Sequence, residues 1–141
     1  MSVNTNTDPL IKLGDTDLHV ADPNDDVRGR TVVDRAGAVI GHVDALLVDQ
    51  RANKVRFLRV ASGGLLGIGE RTFLLPVDAV TRVTPTEVRI DQTRQQLIGA
   101  PAYNPDLVYK QDYYAGVAGY YGYPPYWSPG YVYPPYPYYR V

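Results

Sequence analysis

An all-β fold, a small barrel or rolled sheet of six strands, is the class this sequence predicts. Six short β-like runs follow one another between Thr31 and Asp91. Gly, Pro, Asn and Asp turn signals separate them at close spacing. No long amphipathic helical pattern interrupts them.

Before the first run, residues 1–26 are polar and turn-rich, with one apolar patch (Leu10, Ile11, Leu13) and one pair (Leu18, Val20). Thr31 to Asp34 is the first run. Arg35-Ala36-Gly37 is a tight turn in which Gly37 is expected at positive φ. Val39 to Asp49 is the second and longest run. Alternation puts Val39, Gly41, Val43, Ala45 and Leu47 on one face and His42 and Asp44 on the other. Leu46 and Val48 make its end apolar on both faces, which calls for a bulge, a sharp coil or an outer cover. Gln50 to Asn53 is a hairpin turn. Lys54 to Ala61 is the third run, with Val55 and Phe57 inward and Arg56 outward.

Ser62 to Gly69 (SGGLLGIG) is a glycine-rich loop. Arg71 to Leu75 is the fourth run, closed by Pro76, and Pro76 to Val80 suits a single helical or 3₁₀ turn. Thr81 to Thr84 is the fifth run. Glu87 to Asp91 is the sixth, with Val88 and Ile90 inward. Thr93 to Ile98 suits a turn or two of helix, stopped by Gly99 and Pro101.

The chain changes character after this body. All 13 tyrosines and the single tryptophan of its 141 residues lie between Tyr103 and Val141. From Pro101 onward there are eight prolines, and YPPY occurs at Tyr123–Tyr126 and at Tyr133–Tyr136. Proline fixes φ and removes a donor, so helix is excluded after Tyr123 and polyproline II and turns are accessible. The tail is expected to be irregular. Its only charges are Asp106, Lys110, Asp112 and Arg140. Disordered tails stay solvated through charge and low apolar content. This one has little charge and many aromatics.

Bulk composition narrows the classes. Net charge is −1, against a nucleic-acid binder with a broad basic face. There is no cysteine, hence no disulfide framework, thiolate site or thiol nucleophile. The N-terminus carries no basic patch followed by an apolar run, and no apolar stretch approaches the ~20 residues of a spanning helix. A cytoplasmic protein is expected, with peripheral membrane contact left open.

From Asp26 to Val80 the chain resembles the PRC-barrel family. The resemblance rests on a D-x-x-G turn (Asp34, Gly37), I-G-x-V (Ile40, Gly41, Val43) and L-L-V-D (Leu46 to Asp49). V-R-F-L (Val55 to Leu58) and L-P-V-D-A-V (Leu75 to Val80) continue it. The flanks, D-x-R-G at Asp26 to Gly29 and A-P-x-Y-x-P at Ala100 to Pro105, look like stand-alone bacterial members with a Tyr-rich tail. The resemblance implies a small six-stranded barrel that serves as a non-catalytic docking module. That family includes the cytoplasmic domain of the photosynthetic reaction centre H subunit and the C-terminal domain of a ribosome-maturation factor, both of which bind partner proteins. The expected organisation is an N-terminal extension (1–26), the PRC barrel (27–92), a short helix and linker (93–102) and the tail (103–141).

Candidate sites are few. The loop Gly63 to Gly69 lacks the Lys-Ser/Thr of a phosphate cradle; its Leu65, Leu66 and Ile68 are candidates for a contact surface. His42 and Asp44 read as a surface strand pair, and Asp22, Asp25 and Asp26 lack calcium-loop spacing. With two histidines, no catalytic constellation assembles, so no enzyme, cofactor or metal is expected. Arg28, Arg30, Arg35, Arg51, Arg56, Arg59 and Arg71 read as a solvated face, and nucleic acid is not the expected partner.

The tail holds the strongest candidates. Each Tyr or Trp buries ~150–250 Å² with few rotatable bonds to freeze, and proline lowers the ordering cost. The expected contact residues are Tyr113, Tyr114, Tyr120, Tyr121, Tyr123 and Tyr126, then Trp127, Tyr131, Tyr133, Tyr136, Tyr138 and Tyr139. A barrel of about 65 residues is marginal alone, burying ~60% of its unfolded surface. The expected function is therefore structural: a protein-interaction module whose tail straps its own barrel or a neighbouring copy, with a homo-oligomer as partner state. The alternative is an RNA- or ribosome-associated, or stress-related, adaptor that docks through the barrel.

Overall fold

A computed structural model describes residues 10–14, 26–63, 70–107 and 110–134. Its sheet has seven strands: β1 (Ile11–Leu13), β2 (Thr31–Val33), β3 (Val39–Asp49), β4 (Lys54–Ala61), β5 (Thr72–Pro76), β6 (Val80–Val83) and β7 (Glu87–Ile90). Along the sheet the order is β5-β4-β3-β2-β7-β6, and β1 pairs with β3. The β2–β7 ladder is parallel and the other ladders are antiparallel.

The fold is all-β as expected but differs from the expected six-stranded barrel in two ways. The patch Leu10, Ile11, Leu13 supplies a seventh strand, with Ile11, Lys12 and Leu13 opposite Val48, Leu47 and Leu46. The sheet is also open among the described residues, because its path ends at β5 and β6 without a ladder between them. The 3₁₀ turn Val77–Ala79 joins those two strands, where Pro76 ends β5.

β3 organises the sheet because it is long enough to serve three neighbours. Its register with β4 skips Asp44 on β3 and Arg56 on β4. Such bulges bend a strand and turn side chains out of strict alternation, which is how Leu46, Leu47 and Val48 are all buried. A further shift against β2 pairs Val32 with Gly41 and Val33 with Val39, skipping Ile40. The expected facing of Val39 is therefore wrong: it is 48% exposed, and Ile40 is buried in its place. A one-residue slip exchanges the two faces of a strand.

Two motif residues have clear physical duties. Gly37 takes φ 90° in the β2–β3 turn. Gly41 lies where β4 passes so close that a Cβ would sit 2.1 Å from the Ala61 carbonyl oxygen. Hence the I-G-x-V glycine is required by backbone approach.

Helix α1 (Arg94–Ile98) starts at Thr93, whose side chain accepts from the Gln96 N–H while the Gln96 side chain accepts from the Thr93 N–H. That capping box satisfies two orphan donors. Its Leu97 is fully buried.

The tail is not wholly irregular as expected. Gln111–Tyr120 forms a second helix, α2. The segment is free of proline, and Tyr114, Val117, Ala118 and Tyr121 follow the i, i+3, i+4, i+7 spacing of one helical face. All four are buried, and Tyr114, Val117 and Tyr121 belong to the same apolar core as the strands. After Tyr123 the described backbone contains no helix.

Candidate interaction site

The aromatic residues run along the sheet from β5 to the end of β4 that outruns it. β5 reaches only as far as Pro76, opposite Phe57. Residues 54–56 of β4 therefore have no β5 partner, and Arg56 is carried outward by its bulge.

Tyr126 and Tyr133 take up these positions, and the other tail residues dock elsewhere on the sheet, the 3₁₀ turn and α1. Tyr103 donates its backbone N–H to the Thr72 carbonyl at 2.8 Å, next to β5, and its ring lies 5.0 Å from the Arg59 guanidinium. On α2, Tyr114 stacks at 5.2 Å on Phe57, and Tyr113 lies 5.5 Å from Tyr114. Tyr113 Oη accepts from the Asn104 N–H. Tyr120 meets Tyr121 edge to face and donates to the Gln96 carbonyl at 2.6 Å. Gln92, itself buried, donates to the Tyr121 carbonyl. Beyond the helix, Tyr123 donates to Asp91, and Tyr126 meets Trp127 edge to face at 4.9 Å. Tyr131 donates to Asp78 Oδ2 at 3.0 Å, and Tyr133 donates to the Val55 carbonyl at 3.0 Å.

Five of the seven arginines expected as a solvated face are engaged instead. Arg56 pairs with Asp49 at 3.1 Å, and its guanidinium lies 4.5 Å from the Tyr126 ring and 5.4 Å from the Tyr133 ring. Its buried Nε has no hydrogen-bond partner among the described residues, and the two aromatic faces offer the guanidinium a favourable electrostatic environment. Lys54 Nζ lies 4.4 Å from the Tyr133 ring. Arg59 pairs with Asp44, and Arg28 with Asp26. Arg71 donates to the Ala100 carbonyl and Arg30 to the Thr84 carbonyl. Arg35 and Arg51 are exposed. His42 is exposed and Asp44 half-buried on the outer side of β3, as expected of a surface strand pair, and Asp44 pairs with Arg59.

Electrostatics at the site follow from burial. Desolvation raises the Asp78 carboxyl above its ordinary range, against the opposing pull of the Tyr131 hydroxyl and Arg56. Burial also raises the Tyr131 hydroxyl strongly, with the Asp78 charge adding to it. Tyr121 is raised chiefly by burial, and its hydroxyl has no hydrogen-bond partner among the described residues.

Of the residues expected to make contacts, Tyr113, Tyr114, Tyr120, Tyr121, Tyr123, Tyr126, Trp127, Tyr131 and Tyr133 all lie along this path. Tyr136, Tyr138 and Tyr139, and the loop residues Leu65, Leu66 and Ile68, lie outside the described residues. Sequence reasoning missed the receiving side: Lys54, Val55, Arg56, Asp78 and Asp91. The bulge at Arg56 and the end of β5 at Pro76 create it; Pro76 signals the strand end locally, but the bulge, and which β4 residues lie past that end, have no local sequence signature.

No helix among the described residues is long and apolar enough to cross a membrane. Comparison with curated proteins finds no match. The family model of the PRC-barrel domain matches residues 21–101. That match spans more than half of the chain and contains every strand from β2 to β7, and by it the protein belongs to the PRC-barrel family.

Proposed function

We propose that this protein is a non-catalytic interaction module in which the aromatic tail straps its own barrel and completes it as a docking platform. One observation carries the reading. The hydroxyls of Tyr120, Tyr123, Tyr131 and Tyr133 all donate to groups of the barrel or α1, while Tyr114 and Tyr121 are buried in the barrel's own core. A tail held by buried aromatics at one end and hydroxyl contacts at the other behaves as a structural element. It makes good the apolar cover that a sheet of this size lacks. No catalytic residue is assigned, and the partner belongs to the protein class.

Deletion of residues 103–141 tests this. Loss of two buried aromatics, at about 3 kcal/mol each, should lower the melting temperature by at least about 15 °C. An unaltered melting curve would refute the strap.

A further inference from the structure

The groove under the strap selects one chemical pattern. Tyr131 and Tyr133 each donate a hydroxyl hydrogen bond, to Asp78 and to the Val55 carbonyl respectively. Arg56 and Lys54 offer cations to the aromatic faces of Tyr126 and Tyr133. Val132, between the two tyrosines, is 80% exposed, so the groove asks nothing of it. In extended chain, alternate side chains share a face. The groove therefore reads Tyr-x-Tyr, with a hydroxyl acceptor for each ring and indifference to the middle residue.

The chain carries this pattern three times, at Tyr121–Tyr123, Tyr131–Tyr133 and Tyr136–Tyr138. Tyr121 is held in the core, and Tyr131–Tyr133 occupies the groove. Tyr136–Tyr138 repeats the pattern five positions further along the sequence. One groove is thus matched by two copies of the pattern close together in the sequence, Tyr131–Tyr133 and Tyr136–Tyr138.

We propose that the groove formed by Lys54, Val55, Arg56 and Asp78 is a binding site for Tyr-x-Tyr segments, and that its occupant in trans is the tail of a second copy of this chain. This rests on the strap reading above. The same contacts form in cis and in trans, so exchange loses none of them. Tethering gives the cis segment an effective concentration of order mM. Capture in trans is therefore a concentration-dependent reaction, helped by the second copy of the pattern.

The first measurement uses the unmodified full chain, by sedimentation equilibrium from about 1 µM to about 1 mM. Its mass should rise with concentration, and excess synthetic peptide of residues 131–139 should reverse the rise. A mass that stays monomeric throughout overturns the proposal. In the second, the same peptide with a fluorophore is titrated into the full chain and into the Tyr131→Ala/Tyr133→Ala variant. The variant, freed of its cis competitor, should bind about tenfold more tightly, and adding Asp78→Ala should weaken binding about tenfold. Equal binding by chain and variant, or indifference to Asp78→Ala, also overturns it. If the variants do not fold, the mass measurement on the unmodified chain decides. A monomeric chain that still melts lower on tail deletion sinks this inference and leaves the strap; unaltered melting sinks the strap itself.

Discussion

Asp34 ties together parts of the chain 60 residues apart. Its carboxylate accepts from the N–H groups of Ala36 and Ala38 in the β2–β3 turn and from the Arg94 N–H at the start of α1. Desolvation opposes its ionisation, yet the hydrogen bonds from Ala38, Arg94, Ala36 and Gly37 outweigh that and hold the carboxyl below its usual range. Asp34→Ala should cost about 2–3 kcal/mol in chemical denaturation, because several donors lose a charged acceptor at once. The sign of the pH dependence follows from the lowered pKa. The stabilisation is fully present above the unfolded carboxylate range near pH 4 and fades as pH falls through the lower folded value. Asp34→Asn should flatten that acid limb, as pH-dependent unfolding would register. Equal acid sensitivity in the two chains would rule this out. The D-x-x-G motif was legible in the sequence as a turn. That its aspartate also caps a distant helix was not, because Arg94 is brought there only by the β2–β7 ladder.

At the scale of elements, the strands were legible because their signals are local. β3 and β4 begin and end where alternation and turn residues put them, and Asn53 closes their hairpin at φ 55°. The 3₁₀ turn after Pro76 and the helix after Thr93 were equally plain. Helix α2 is masked in the sequence by composition: its face, Tyr114, Val117, Ala118 and Tyr121, has helical spacing beside a proline-rich region. Gly116 and Gly119 weaken its intrinsic preference, so burial against Phe57 must hold it. Tyr114→Ala should therefore cost about 3–4 kcal/mol and reduce helical circular dichroism together with stability. Tyr114→Phe should cost under about 1.5 kcal/mol. A helix that survived Tyr114→Ala at full stability would show that α2 is self-supporting.

For the whole molecule, the proposed strap rests on hydroxyl contacts to carboxylates and carbonyls, which should make it sensitive to alkali. Tyr113, Tyr121 and Tyr131 all have hydroxyls raised above the ordinary tyrosine value, first by burial. Their contribution to stability is intact below the unfolded value near pH 10 and is lost as pH rises through the folded ones. The single tryptophan, Trp127, lies in the strap and reports on it. Raising the pH above about 10 should shift its emission to the red cooperatively with a late rise of tyrosinate absorbance. Tyrosines that titrate independently, like free tyrosine, would contradict a docked strap.

The sequence by itself determined the β class, most strand limits, the family and the division into an aromatic-poor body and an aromatic tail. Alternation, turn chemistry and composition are local properties, and each is written in a few consecutive residues. Only the tertiary structure decided that the sheet is open, that β1 joins it, and that the tail closes over β4 and the 3₁₀ turn of the same chain. Those outcomes depend on one-residue register shifts and on where β5 stops relative to β4. They are set by which distant segments can satisfy each other's buried apolar surface and unpaired backbone groups.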